Sequence, residues 1–174
     1  MAIDKIQSES INLADTFAFT GTVTGAGESN LPYFSAYITS NQTGITNDTQ
    51  TKMAMDNVLQ NGSDYNTSTY RFTPTTAGKF YLYSVVHLVS LDNTLSGISA
   101  NIRKNGSMII PGATFSTEGM SERFRQLISS TSIISSANGS SDYFEFYFNL
   151  TVSSGSNYYL GTGSTTGGFL VSTT

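Results

Sequence analysis

The chain has 174 residues, 38% hydrophobic and 12% aromatic, which suits one domain with a real core and a short extension. Only 11% of residues are charged, against about 25% in ordinary globular domains. Cysteine is absent, which excludes disulfides, thiolate metal sites and cysteine nucleophiles.

The polar surface must therefore consist mostly of Ser, Thr, Asn and Gly, a composition that suits turns and close subunit contacts. The formal net charge is −4, and the cations Lys5, Arg71, Lys79, Arg103, Lys104, Arg123 and Arg125 are scattered along the chain. They form no basic stripe, so no nucleic-acid partner is expected. No segment approaches the roughly 18 consecutive apolar residues of a membrane span, so no membrane insertion is expected. Met1-Ala2-Ile3-Asp4-Lys5-Ile6 is not a signal-type start, which points to synthesis in a cytoplasm.

Apolar residues recur with period two, and helical periodicity is nearly absent. Phe17, Phe19, Gly21 and Val23 share one face of an early strand. Gly25-Ala26-Gly27-Glu28-Ser29-Asn30 then reads as a connection that sets residues 1–30 apart as an extended arm before a domain over 31–174. Phe34, Ala36 and Ile38 line the next strand, with Tyr37 on its opposite side. Tyr65-Asn66 is a polar turn, and Tyr70-Arg71-Phe72-Thr73 is a short strand stopped by Pro74, which has no N–H for a ladder. Gly78 reads as a reversal.

From Phe80 to Val89 a long strand presents Tyr81, Tyr83, Val85, His87 and Val89 on one side. Phe80, Leu82, Val86 and Leu88 occupy the other. Both sides are apolar, which predicts a central strand covered on both faces. Ile98, Ala100 and Ile102 lead to a hairpin at Asn105-Gly106, where both residues tolerate positive φ. Met108, Ile109 and Ile110 return towards Pro111-Gly112. A strand runs from about Phe124 to Ile134, and Asn138-Gly139-Ser140-Ser141 is a turn. Phe144, Phe146, Phe148, Leu150 and Val152 form the cleanest alternation, with Tyr143, Glu145, Tyr147, Asn149 and Thr151 opposite. Tyr158, Tyr159 and Leu160 follow. Thr165-Thr166-Gly167-Gly168 reads as a turn into a last strand, Phe169-Leu170-Val171. Many short strands with frequent turns predict an all-β sandwich or jelly roll.

Catalytic chemistry is sparse. His87 is the only histidine, so no second imidazole joins it at a zinc site, and a structural or interface role is expected. No nucleophile elbow precedes a helix. Asp56, Asp64, Asp92, Glu118 and Glu122 fall in or near loops, and nothing pairs them for glycoside hydrolysis. Asn47, Asp48, Asp56 and Asp64 offer hard oxygen ligands without the spacing of a calcium loop. Gly161-Thr162-Gly163 lacks the strand-to-helix setting and following Lys of a phosphate cradle. The expectation is a non-enzyme with no cofactor.

Several segments, in order, resemble the complement C1q globular-domain family, whose jelly roll is shared with tumour necrosis factor. These are Phe34-Ser35-Ala36-Tyr37, Tyr65-Asn66 with Phe72-Thr73-Pro74, and Ala77-Gly78-Lys79-Phe80-Tyr81-Leu82. Ile102-Arg103-Lys104-Asn105-Gly106, Asp142-Tyr143-Phe144-Glu145-Phe146 and Gly168-Phe169-Leu170 complete the set. The chain departs from the family in having no collagen-like stalk, no Trp and no disulfide. The resemblance implies a jelly-roll homotrimer with aromatic side chains near a threefold axis. Carried over by position, it suggests interface residues Phe34, Ala36, Tyr37, Tyr81, Tyr83, Tyr158, Leu160, Phe169 and Leu170. The alternative for each is the core of a single chain.

The opening segment Ile6-Gln7-Ser8-Glu9-Ser10-Ile11-Asn12-Leu13-Ala14-Asp15 and Thr16-Phe17-Ala18-Phe19-Thr20-Gly21-Thr22-Val23 resembles the starts of marine bacteriophage structural proteins. That resemblance implies a virion-surface protein, a capsid-decorating or head or tail appendage knob. Ile3, Ile6, Ile11, Leu13, Phe17 and Phe19 would anchor it to other virion proteins. The alternative is a receptor- or carbohydrate-binding tail fibre tip, with Tyr65 and Tyr70 stacking on a host cell-surface glycan. A further alternative is a secreted C1q-like ligand.

Overall fold

The computed structural model describes residues 32–60, 62–117 and 124–173. The predicted early strand and every anchor candidate, Ile3, Ile6, Ile11, Leu13, Phe17 and Phe19, lie outside the described residues.

Twelve strands follow one another without a helix among the described residues. They are β1 (Tyr33–Tyr37), β2 (Thr51–Lys52), β3 (Asn57–Gln60), β4 (Tyr65–Asn66), β5 (Arg71–Phe72) and β6 (Ala77–Ser90), then β7 (Leu95–Lys104), β8 (Ser107–Ser116), β9 (Gln126–Asn138), β10 (Phe144–Val152), β11 (Tyr158–Leu160) and β12 (Thr165–Thr173).

They form two antiparallel sheets of six strands. In the first, β9 pairs along β6 from Ala77 to Val89, so β11 and β12 must share the opposite edge of β6. β1 pairs with β12, and β3 with β1, which completes that sheet. In the second, β7 pairs along the whole of β10, leaving β2 and β5 on the other edge. β8 flanks β7, and β4 flanks β5.

The alternating patterns specify which faces meet. Phe34, Ala36, Phe80, Leu82, Val86, Leu88 and Leu170 from the first sheet are buried against Phe144, Phe146, Phe148, Leu150, Ile98 and Ile102 from the second. Phe72 joins them, stacked on Phe34 with ring centroids 4.4 Å apart and edge-on to Phe80 at 5.5 Å. Ser84 interrupts the apolar side of β6, and its hydroxyl is satisfied by the Met53 sulfur at 3.2 Å.

Four turn readings change. Tyr65-Asn66 is not a turn but the short strand β4, paired with β5. Gly78 lies inside β6 and not at a reversal. Thr165-Thr166-Gly167-Gly168 is the first half of β12, not a turn. β8 runs through Pro111-Gly112 to Ser116 as an edge strand, with register breaks opposite β7 between Ser99 and Asn101 and between Ile102 and Arg103. A proline and bulges are tolerated there because an edge strand has one unpaired side. The predicted hairpin stands, with Asn105 and Gly106 at φ 52° and 81°.

Candidate functional site

The outward side of the first sheet carries rows of side chains that no part of the described chain covers. One row crosses four strands as Tyr33, Phe169, Tyr81 and Ile134. The next is Ser35, Gly167, Tyr83 and Ser132, and the third is Tyr37, Thr165, Val85 and Ser130. Leu59 extends the middle row on the edge strand β3, and Ile128 stands opposite His87. Ile134, Ile128 and Leu59 are 57%, 67% and 67% exposed. The rows between Lys79 and His87 hold no charged side chain. An apolar face of this breadth is costly to leave in water, and such faces mark interaction surfaces.

Aromatic packing orders the centre of this face. Tyr81 lies 5.4 Å from Phe169 and 6.5 Å from Tyr83. The Tyr83 ring reaches sideways over β12 to place its hydroxyl 3.3 Å from Ser35 Oγ on β1. It can do so because residue 167 is glycine: a Cβ there would sit 2.5 Å from the ring. With Ser130 and Ser132 on β9, small residues face Val85 and Tyr83. They leave a shallow depression of about 370 Å³ between β6 and β9.

The interface candidates divide sharply. Tyr37, Tyr81, Tyr83 and Phe169 lie on this outward face. Phe34, Ala36, Leu160 and Leu170 point into the core and are almost fully buried, so they are corrected to core residues. Strand alternation explains the split, because neighbours in sequence project to opposite sides. Tyr158 packs against the core. The sequence reading missed Tyr33, Leu59, Ile128 and Ile134. The segment around the last two shows no apolar alternation: its outward positions are Ile128, Ser130, Ser132 and Ile134, and Ile133 beside Ile134 faces the other way, so the sequence does not disclose which side of this edge strand is apolar.

The ligand-loop reading of Tyr65 is also corrected. Its ring is buried 5.1 Å from Phe34, where burial pushes the phenol pKa up. Tyr70 sits half-buried at φ 53°, just after a turn in which Asn66 Oδ1 accepts from the N–H groups of Ser68 and Thr69. His87 stands half-buried at the rim of the tyrosine face. Its backbone is tied to the 161–164 turn by the Gly161 N–H at 2.8 Å and by the Ser164 hydroxyl at 2.9 Å.

The predicted carboxylates do not converge. Asp56 accepts from Thr39, Asp64 from Thr75, and Asp92 from Asn157; Glu118 and Glu122 lie outside the described residues. Among the described residues no group of three or more His, Cys, Asp or Glu is placed to hold a metal ion.

Charge gathers instead on the outward side of the second sheet. Glu145 is buried, and its Oε1 accepts from Lys52 Nζ at 2.5 Å and Arg71 Nε at 2.8 Å. Burial pushes its carboxyl up, but the hydrogen bonds and charges of Lys52 and Arg71 outweigh that and hold the pKa below the ordinary value. Arg71 lies 4.2 Å over the Tyr143 ring and Arg103 lies 4.0 Å over the Tyr147 ring.

Comparison with known proteins places the fold. No family model and no curated protein matches the chain by sequence. Solved structures do match. The globular domain of zebrafish complement 1qA protein aligns with TM-score 0.51 at 14% identity, over 82% of this chain and 98% of that one. Eiger TNF from S. frugiperda aligns with TM-score 0.52 at 9% identity, over 82% and 95%. Murine APRIL aligns with TM-score 0.53 at 11% identity, over 80% and 98%. The fold is therefore a C1q/TNF-like jelly roll.

Proposed function

We propose that this chain is a non-enzymatic structural module that assembles as a homotrimer through the tyrosine face of its first sheet. The observation that carries the reading is the uncharged apolar face built from Tyr33, Tyr37, Leu59, Tyr81, Ile134 and Phe169. Its two sides differ: Leu59 and Tyr37 project near one edge, and the depression beside Tyr83 and Ser132 lies near the other. Surfaces that differ in this way favour head-to-tail contact, which ends in a closed ring when the rotation closes. The jelly-roll likeness supports three copies in that ring.

The trimer is proposed to sit on a bacteriophage virion as a capsid-decorating or head or tail appendage knob. The support for that location is the resemblance of residues 6–23 to marine bacteriophage structural proteins. Residues 1–30 would anchor it through Ile3, Ile6, Ile11, Leu13, Phe17 and Phe19, and three linked anchors would strengthen each weak contact.

Mass measurement of the full chain in solution tests assembly. The expected value is three times the 18.7 kDa chain mass. A single-chain mass at micromolar concentration would overturn it. Imaging of intact particles with a tagged chain tests location; a particle without the tag on its exterior would remove the virion assignment.

A further inference from the structure

We infer that the outward side of the second sheet binds an acidic saccharide, its carboxylate or sulfate against Arg103 and Arg71 and its hydroxylated ring beside Asn101. The chain is acidic overall, with formal net charge −4. Yet Lys52 and Arg71 pair with the one carboxylate of Glu145, and Arg103 stands opposite Glu145 on β7 with its guanidinium over Tyr147, so this patch carries a local excess of positive charge. Each guanidinium rests on a tyrosine ring, Arg71 on Tyr143 and Arg103 on Tyr147. Stacking holds the plane still while leaving its N–H edge to meet an anion.

Unsatisfied polar atoms mark the same place. Three successive outward pairs run down β10 and β7: Glu145 with Arg103, Tyr147 with Asn101, and Asn149 with Ser99. Arg103 Nε, Asn101 Oδ1 and Asn149 Oδ1 are buried and have no hydrogen-bond partner. Asn101 is 2% exposed, and its amide nitrogen is already committed to Gln50 Oε1. Buried polar atoms are normally satisfied, and three orphans in one short strip indicate where a guest's polar groups belong.

A depression of about 150 Å³ adjoins them, lined by Gln50, Ser99, Asn101 and Thr114 with Met108 and Pro111 as an apolar ledge. The bulge in β8 between Pro111 and Thr114 shapes it. Gly112 permits that bulge, since a Cβ there would run into the Ala100 carbonyl.

The orphans specify the guest. Two amide oxygens can only accept, so the guest must bring donors. A cationic N–H can only donate, so the guest must bring an acceptor, best a charged one. Hydroxyls beside an acid group on a ring satisfy both, and Met108 and Pro111 offer a surface for the ring's C–H face. The site lies within one chain and does not depend on assembly. A trimer would carry three copies.

The test titrates the full chain with trigalacturonate, sulfated maltotriose and uncharged maltotriose at fixed ionic strength. At least one acidic probe is expected to bind at least tenfold more tightly than the uncharged one, and which of them does so separates carboxylate from sulfate. Arg103→Met, which keeps the stem over Tyr147, should weaken acidic binding about tenfold or more. Lys79→Ala on the other sheet should leave it unchanged. In the unaltered chain, the side-chain amide NMR signals of Asn101 and Asn149 should shift on titration. Equal affinity for charged and uncharged probes, equal loss in both variants, or shifts confined to other residues would each overturn the site. Tighter binding of a diglutamate peptide than of any saccharide would overturn the saccharide assignment.

Discussion

The Tyr83 ring lies across Gly167, and no side chain larger than hydrogen at 167 leaves room for it. A Cβ would stand 2.5 Å from the ring, whose hydroxyl is 3.3 Å from Ser35 Oγ on the next strand. One ring thereby ties β6, β12 and β1 together and flattens the face proposed for assembly.

Gly167→Ala should lift that ring and cost about 1–2 kcal/mol in unfolding experiments, the range for overpacking. In a Tyr83→Ala background the same substitution should be close to neutral. A double-mutant cycle checks this coupling; additive effects would show that the ring does not depend on Gly167.

Ile134→Lys and Phe169→Glu place charge on the uncovered face, at positions 57% and 38% exposed. Because neither side chain fills the core, each single chain should keep its stability within about 0.5 kcal/mol. Solution mass should fall from the proposed trimer to one chain. Retention of the assembled mass by both variants would place the interface elsewhere.

Acid should weaken the second sheet. The Glu145 carboxyl is held below its ordinary value of 4.5 in the folded chain, chiefly against burial, by Lys52 and Arg71. A lowered folded pKa gives stability that is present above the unfolded value and lost as pH falls through the folded one. Denaturant midpoints should therefore drop as pH is lowered below about 4.5. Glu145→Gln should cost about 2 kcal/mol at pH 7 and flatten that acid dependence. An unchanged slope in the variant would assign the acid response to other carboxylates, such as Asp142, whose pKa is lowered by hydrogen bonds from Asn105 and Lys104.

Phe72→Ala should cost about 3–5 kcal/mol, since the ring is fully buried between Phe34, Phe80 and Phe144. Tyr65→Ala should act the same way, as a loss of folded protein and not of ligand binding. Thermal unfolding of both variants checks this. A Tyr65→Ala chain with unchanged stability would contradict the packed position of that ring.

The alternation in Phe144–Val152, the Asn105-Gly106 hairpin, the stop at Pro74 and the apolar run of Phe80–Val89 were enough to determine a two-layer β fold. Each is local: period two, positive φ and a missing N–H depend only on neighbours in sequence. The candidate sites depended on pairing between distant segments. Only register decided that Tyr81 meets Phe169 and Ile134 on an outward face, while Phe34, Ala36, Leu160 and Leu170 turn inward. Gly167-Gly168 resembled a turn because sequence does not show the Tyr83 ring and Leu82 side chain that require small residues there. Arg71 and Arg103 looked scattered along the chain, and strand pairing gathered them with Lys52 and Glu145 on one side of a sheet. Local chemistry fixes where a chain extends and bends; which side chains share a surface is set by contacts far apart in sequence, and those exist only once the sheets have formed.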